Sequence, residues 1–115
     1  MSKGCDQLLS IVQLVFPNQK IILEHNIAQT GGLFLDIYLP QLSVAFEYDG
    51  EQHFAYSKHF HGSQEAFRAA KKRDLTKTLR CQELGISLVR VRFDEEMTRE
   101  LIINKLQEAL DKKEE

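Results

Sequence analysis

Apolar and polar positions alternate along this chain with two different periods. Cys5, Leu8, Leu9, Val12, Val15 and Phe16 recur at helical spacing, which predicts an amphipathic helix over about residues 4–16. Phe16-Pro17-Asn18 ends it, because proline disfavours a helical conformation in the residue before it. Lys20 to Ile27 reads as a first strand, with Glu24 and His25 near its end, and Gln29-Thr30-Gly31-Gly32 supplies turn residues. Leu33 to Leu39 is a second strand. By a period of two, Leu33, Leu35, Ile37 and Leu39 point one way, and Phe34, Asp36 and Tyr38 the other.

Pro40-Gln41 is a tight connection, so Leu42 to Tyr48 reads as an antiparallel hairpin partner. On it Ala45, Glu47 and Asp49 share one face and Val44, Phe46 and Tyr48 the other. Residues 50 to 62 are irregular and hold His53, Tyr56, His59, Phe60 and His61. Mixed loops of this kind commonly cover a site. Ser63 starts a long helix to about Glu83, closed by Gly85, which brings Phe67, Ala70, Asp74, Lys77 and Cys81 onto one arc. Ile86 to Phe93 is a fourth strand, and about 95–112 a last amphipathic helix with a frayed tail over 111–115. The order is α-β-β-β-α-β-α, a small mixed sheet flanked by helices in an α/β domain spanning 1–115.

Composition adds boundaries. At 115 residues and 43% hydrophobic, the chain has the size and apolar content of one soluble domain. It holds no apolar run long enough for a membrane span and no secretory pattern, so a cytoplasmic protein with no membrane partner is expected. Cys5 and Cys81 have no CxxC companion and read as reduced, core-filling thiols. A net charge of −2 argues against indiscriminate polyanion binding. The charge is uneven, however: Lys71, Lys72, Arg73, Lys77 and Arg80 crowd one segment, and Arg90 and Arg92 alternate on the fourth strand.

The acids change the picture most. Asp36, Glu47 and Asp49 stand on the most core-like segment of the chain, where uncompensated carboxylates are costly. Pairing the second and third strands brings Asp36 near Glu47, and a carboxylate from each of two adjacent strands can hold Mg²⁺ or Mn²⁺. Such an ion polarises a phosphoryl oxygen and acidifies a bound water. His53 could take the proton from that water, and Asp74 could orient the imidazole. Taken singly, each residue has a plainer reading. Asp36 fits a strand acid at an exposed edge, Asp49-Gly50 a turn, His53 a structural histidine and Asp74 an ion-pair partner on a charged helix.

Leu35-Asp36-Ile37-Tyr38-Leu39-Pro40, Phe46-Glu47-Tyr48-Asp49-Gly50-Glu51-Gln52-His53, Arg73-Asp74 and Gly85-Ile86-Ser87-Leu88-Val89-Arg90-Val91, in this order of elements, form a specific combination. It resembles the PD-(D/E)XK nuclease superfamily, and within it the very-short-patch-repair branch with its mismatch-nicking and EDxHD homing endonucleases. The resemblance covers nearly the whole chain. It implies a restriction-endonuclease-like fold and a Mg²⁺-dependent (or Mn²⁺-dependent) endonuclease that nicks DNA, with a homodimer for double-strand cleavage and a partner protein for specificity. It makes Asp36 the principal metal carboxylate, Glu47 the second, His53 the catalytic histidine and Asp74 its supporting acid. Asp49 takes the place where the wider superfamily carries lysine. Where the branch has a first-helix glutamate, this chain has Gly4-Cys5-Asp6, so that either Asp6 or Glu24 serves as the auxiliary acid or the role is lost. Lys71, Lys72, Arg73, Lys77, Arg90 and Arg92 are the candidate phosphate contacts. The alternative is an inactive nuclease-fold module that binds nucleic acid or a protein.

Overall fold

The computed structural model of the chain describes residues 2–51 and 62–114. The N-terminal apolar stripe becomes α1 (Lys3–Val15), whose N-cap Ser2 accepts a hydrogen bond from Cys5 N at 3.1 Å. The N–H of Phe16 closes the helix on Val12 O at 2.8 Å, just before Pro17. Four strands follow the expected order: β1 (Ile22–Asn26), β2 (Phe34–Leu39), β3 (Val44–Asp49) and β4 (Ser87–Arg92). Between β3 and β4 runs α2 (Gln64–Leu84), started by Ser63 and stopped by Gly85 in the left-handed conformation, and α3 (Arg99–Lys113) follows β4.

The sheet order is β1-β2-β3-β4. β1 and β3 lie antiparallel to β2, and β4 lies parallel to β3. A parallel neighbour needs a crossover, and α2 is that crossover. Among the described residues the architecture is therefore an α/β fold with a four-stranded mixed sheet and three helices. None of these helices is long and apolar enough to cross a membrane.

Each face of the sheet has its own apolar cluster. Leu8 and Val12 of α1 and Ile102 of α3 pack with Ile37, Leu39, Val44, Phe46, Val89 and Val91 on one side. Cys81 of α2 packs with Ile27, Leu35, Ala45 and Ile86 on the other. Both cysteines are buried free thiols, as their lack of companions suggested.

Three expectations are corrected. Leu33 and Leu35 belong with the α2-side cluster, whereas Ile37 and Leu39 belong with the α1/α3 side, so the period of two is interrupted at Asp36. The last helix starts at Arg99 rather than near 95. Glu95 lies before the helix, accepting from Arg92 N at 2.8 Å and pairing with Lys105 at 3.0 Å. Thr98 is the actual cap. At its other end α3 continues through Asp111, Lys112 and Lys113 rather than fraying, and Lys113 Nζ donates to Gly85 O at 2.6 Å.

Candidate active site

β2 and β3 stop pairing as a regular ladder at Ile37–Phe46. Continuing that register would pair Asp36 with Glu47. Instead the Asp36 N–H donates to Glu47 Oε2 at 2.8 Å, and the Tyr48 N–H donates to Asp36 Oδ2 at 3.1 Å. Each carboxylate thus satisfies a backbone donor that the sheet leaves open. The disturbance extends to β1, where Leu23–Ile37 and His25–Leu35 pair on either side of an unpaired Glu24, itself at φ 50°. One level of the sheet is open across three strands. At that level an acid pair replaces backbone pairing.

Asp36 is not at an edge: β2 is an internal strand, and the residue is half-buried. Glu47 is 3% exposed. Its Oε1 accepts from Lys77 Nζ of α2 at 2.7 Å. Burial, and then the charge of Asp36, push the Glu47 carboxyl up to about 7, while Lys77 pulls it down. Beside Glu47 on the parallel strand stands Arg90. Its guanidinium donates to Asp74 Oδ2 at 2.7 Å, Asp74 O at 3.2 Å and Thr78 Oγ1 at 2.7 Å. The result is a line of charge across the α2 face of the sheet: Asp36, Glu47, Lys77, Arg90 and Asp74, with three acids against two bases.

The start of α1 closes the far side. Cys5 is buried, and its thiol is pushed up to about 11 by burial first and then by the charges of Asp36, Asp6 and Glu47. It is therefore a neutral thiol within electrostatic reach of the acid pair. Gly4 lies against the ring of Tyr48 so closely that a Cβ would overlap it. Asp6 and Glu24, the candidate auxiliary acids, are both exposed, and the inward position on α1 belongs to Cys5.

The remaining sequence candidates fall in distinct places. Asp49 is not an exposed turn residue: it ends β3 at 7% exposure, and its carbonyl accepts from Phe93 N at 2.8 Å. Asp74 is an ion-pair partner, but to β4 rather than along its own helix. Lys71, Lys72 and Arg73 are exposed on α2. Lys77 and Arg90 turn inward to Glu47 and Asp74, and Arg92 pairs with Asp94 at 3.0 Å. His53 lies outside the described residues, as do Tyr56, His59, Phe60 and His61. Among the described residues no three or more His, Cys, Asp or Glu side chains converge to enclose a metal ion. Sequence reading missed Lys77 as the partner of Glu47, although its place on the Asp74 arc of α2 was the available signal.

No protein-family model matches the chain. It is similar to uncharacterized protein 307L of Invertebrate iridescent virus 6, 35% identical over 74 residues that cover 64% of this chain and 38% of that protein. It is 42% identical over 62 residues to uncharacterized protein 094L of Frog virus 3, covering 53% of this chain and 40% of that one. A third relative, uncharacterized protein 033L of Invertebrate iridescent virus 3, is 31% identical over 78 residues, with 68% of this chain and 40% of the relative covered. The chain spans about two fifths of the length of the curated relatives it matches.

Proposed function

We propose that the chain is a metal-dependent endonuclease domain hydrolysing DNA phosphodiesters, on a restriction-endonuclease-like version of its α/β fold. The observation that carries this reading is the acid pair at the break between β2 and β3. A sheet gains nothing from opening its ladder around two carboxylates that repel each other; a site for a divalent cation does. The donors are hard oxygens, suited to Mg²⁺ or Mn²⁺. Asp36 commits Oδ2 to Tyr48 N, and Oδ1 has no hydrogen-bond donor among the described residues. With only two protein carboxylates to hold it, an ion would keep several of its waters, as Mg²⁺ commonly does. When bound, it would polarise a phosphoryl oxygen and lower the pKa of a water.

The other roles rest on chemistry and sequence. His53, a few residues after β3 in the sequence, takes the proton from the attacking water. Asp74 takes the part of its supporting acid. Exposed Lys71, Lys72 and Arg73 give phosphate contacts, which supply affinity without sequence choice. One such site cuts one strand, so the product is a nick; a double-strand break needs a homodimer or two events, and sequence choice a partner protein.

A second reading, an inactive module that binds nucleic acid or a protein, is favoured by one detail. Both Glu47 oxygens already accept hydrogen bonds. A plasmid-nicking assay separates the two. The endonuclease converts supercoiled plasmid to open circle with Mg²⁺, and Asp36→Ala and His53→Ala each reduce the rate by about 10²-fold or more. DNA binding without cleavage under either Mg²⁺ or Mn²⁺ would establish the inactive module instead.

A further inference from the structure

The two bases in the line of charge are held very differently. Arg90 makes three hydrogen bonds, two of them to Asp74 and one to Thr78, and its planar fork fixes it there. Lys77 makes a single hydrogen bond among the described residues, to Glu47 Oε1. Its ammonium sits on a flexible four-carbon stem, although the pair is well withdrawn from water, at 17% and 5% side-chain exposure. The Asp36 N–H occupies the other Glu47 oxygen. Each Glu47 oxygen thus already carries one hydrogen bond, and a divalent ion approaching Oε1 would meet the Lys77 ammonium, which repels a dication strongly over such distances.

We propose that Lys77 is the resident counter-cation of the acid pair, displaced from Glu47 when a divalent ion binds and thereby released toward the substrate phosphate. This rests on reading Asp36 and Glu47 as the metal-holding pair. Lys77 keeps the two carboxylates compatible with folding in the metal-free protein, and metal and lysine compete for one oxygen. Arg90 cannot serve in its place, since moving it would break three bonds and leave Asp74 unpaired. The exchange also orders events: an ammonium becomes available for phosphate only after the ion has entered.

The test is Mn²⁺ affinity, followed by the electron paramagnetic resonance signal of the free ion. Wild type, Lys77→Met, Lys77→Gln, Lys77→Arg and Asp36→Asn are compared, the glutamine retaining a donor for Oε1 should the methionine variant unfold. Competition predicts that Met and Gln bind Mn²⁺ about tenfold or more tightly than wild type, that Arg does not, and that both neutral variants nick DNA more slowly. Unchanged or weaker Mn²⁺ binding in Met and Gln, with wild-type binding still abolished by Asp36→Asn, overturns the role of Lys77 and leaves the acid pair standing. Wild-type binding that is absent, or indifferent to Asp36→Asn, overturns the metal site and this inference with it. A lysine that merely braces the fold would lower stability without tightening the metal.

Discussion

At Glu47, burial and the charge of Asp36 favour the neutral acid, while Lys77 favours the carboxylate. The balance raises ionisation from 4.5 to about 7. Between those values the unfolded chain releases a proton that the folded chain keeps. The contribution of Glu47 to stability is therefore fully present below about pH 4.5 and is lost as pH rises through 7, by an amount on the order of 2–3 kcal/mol. Urea midpoints measured from about pH 5 to pH 8 should decline accordingly, and a rise over that window would contradict the assignment. Asp36→Asn removes the like charge, yet its amide oxygen still accepts from Tyr48 N. The variant should be more stable than wild type at about pH 8 by about 1 kcal/mol, with a flatter pH profile. A less stable variant would show that the Asp36 charge is favoured rather than repelled at this site. These acids were legible in the sequence because a period of two set them among core residues. Their cations were not: alternation on β4 marks Arg90 as facing one side, but cannot show that α2 covers that side.

At the scale of elements, the site depends on how closely α1 approaches β3. Gly4 meets the ring of Tyr48 where a Cβ would stand, and the next residue, Cys5, lies within electrostatic reach of the acid pair. In an ordinary helix Gly→Ala stabilises by about 1 kcal/mol. Here Gly4→Ala should instead destabilise by about 1–3 kcal/mol through overpacking, and weaken metal binding as the helix shifts. Thermal unfolding decides by its sign alone. Helix ends marked by Ser63, Gly85 and Pro17 were readable, since each has a local mechanism. The start of α3 was not, because Glu95 caps a strand and pairs with Lys105 across ten residues of chain, a tertiary choice that local charge pattern cannot reveal. The interruption at Asp36 was likewise hidden: Leu33, Leu35, Ile37 and Leu39 keep the same spacing whether or not the sheet opens between them.

On the scale of the whole molecule, the element order and the hairpin were visible from turn chemistry and periodicity, and they suffice to bring Asp36 to Glu47. The parallel placement of β4, which brings Arg90 beside Glu47, follows from the α2 crossover rather than from any residue in β4. The chain matches about two fifths of the length of each of these viral relatives, and the proposed endonuclease reading assigns it cutting without sequence choice. The central claim concerns chemistry at one pair of acids, and Asp36→Asn isolates it, because that variant keeps the Tyr48 hydrogen bond and should fold at least as well as wild type. The decisive measurement is the rate at which saturating Mg²⁺ drives supercoiled plasmid to open circle for wild type and Asp36→Asn, both confirmed folded by circular dichroism. Wild type should nick in a Mg²⁺-dependent way and the variant should lose about 10²-fold or more in rate; equal rates, or no metal-dependent nicking by wild type, would rule out a metal site at Asp36.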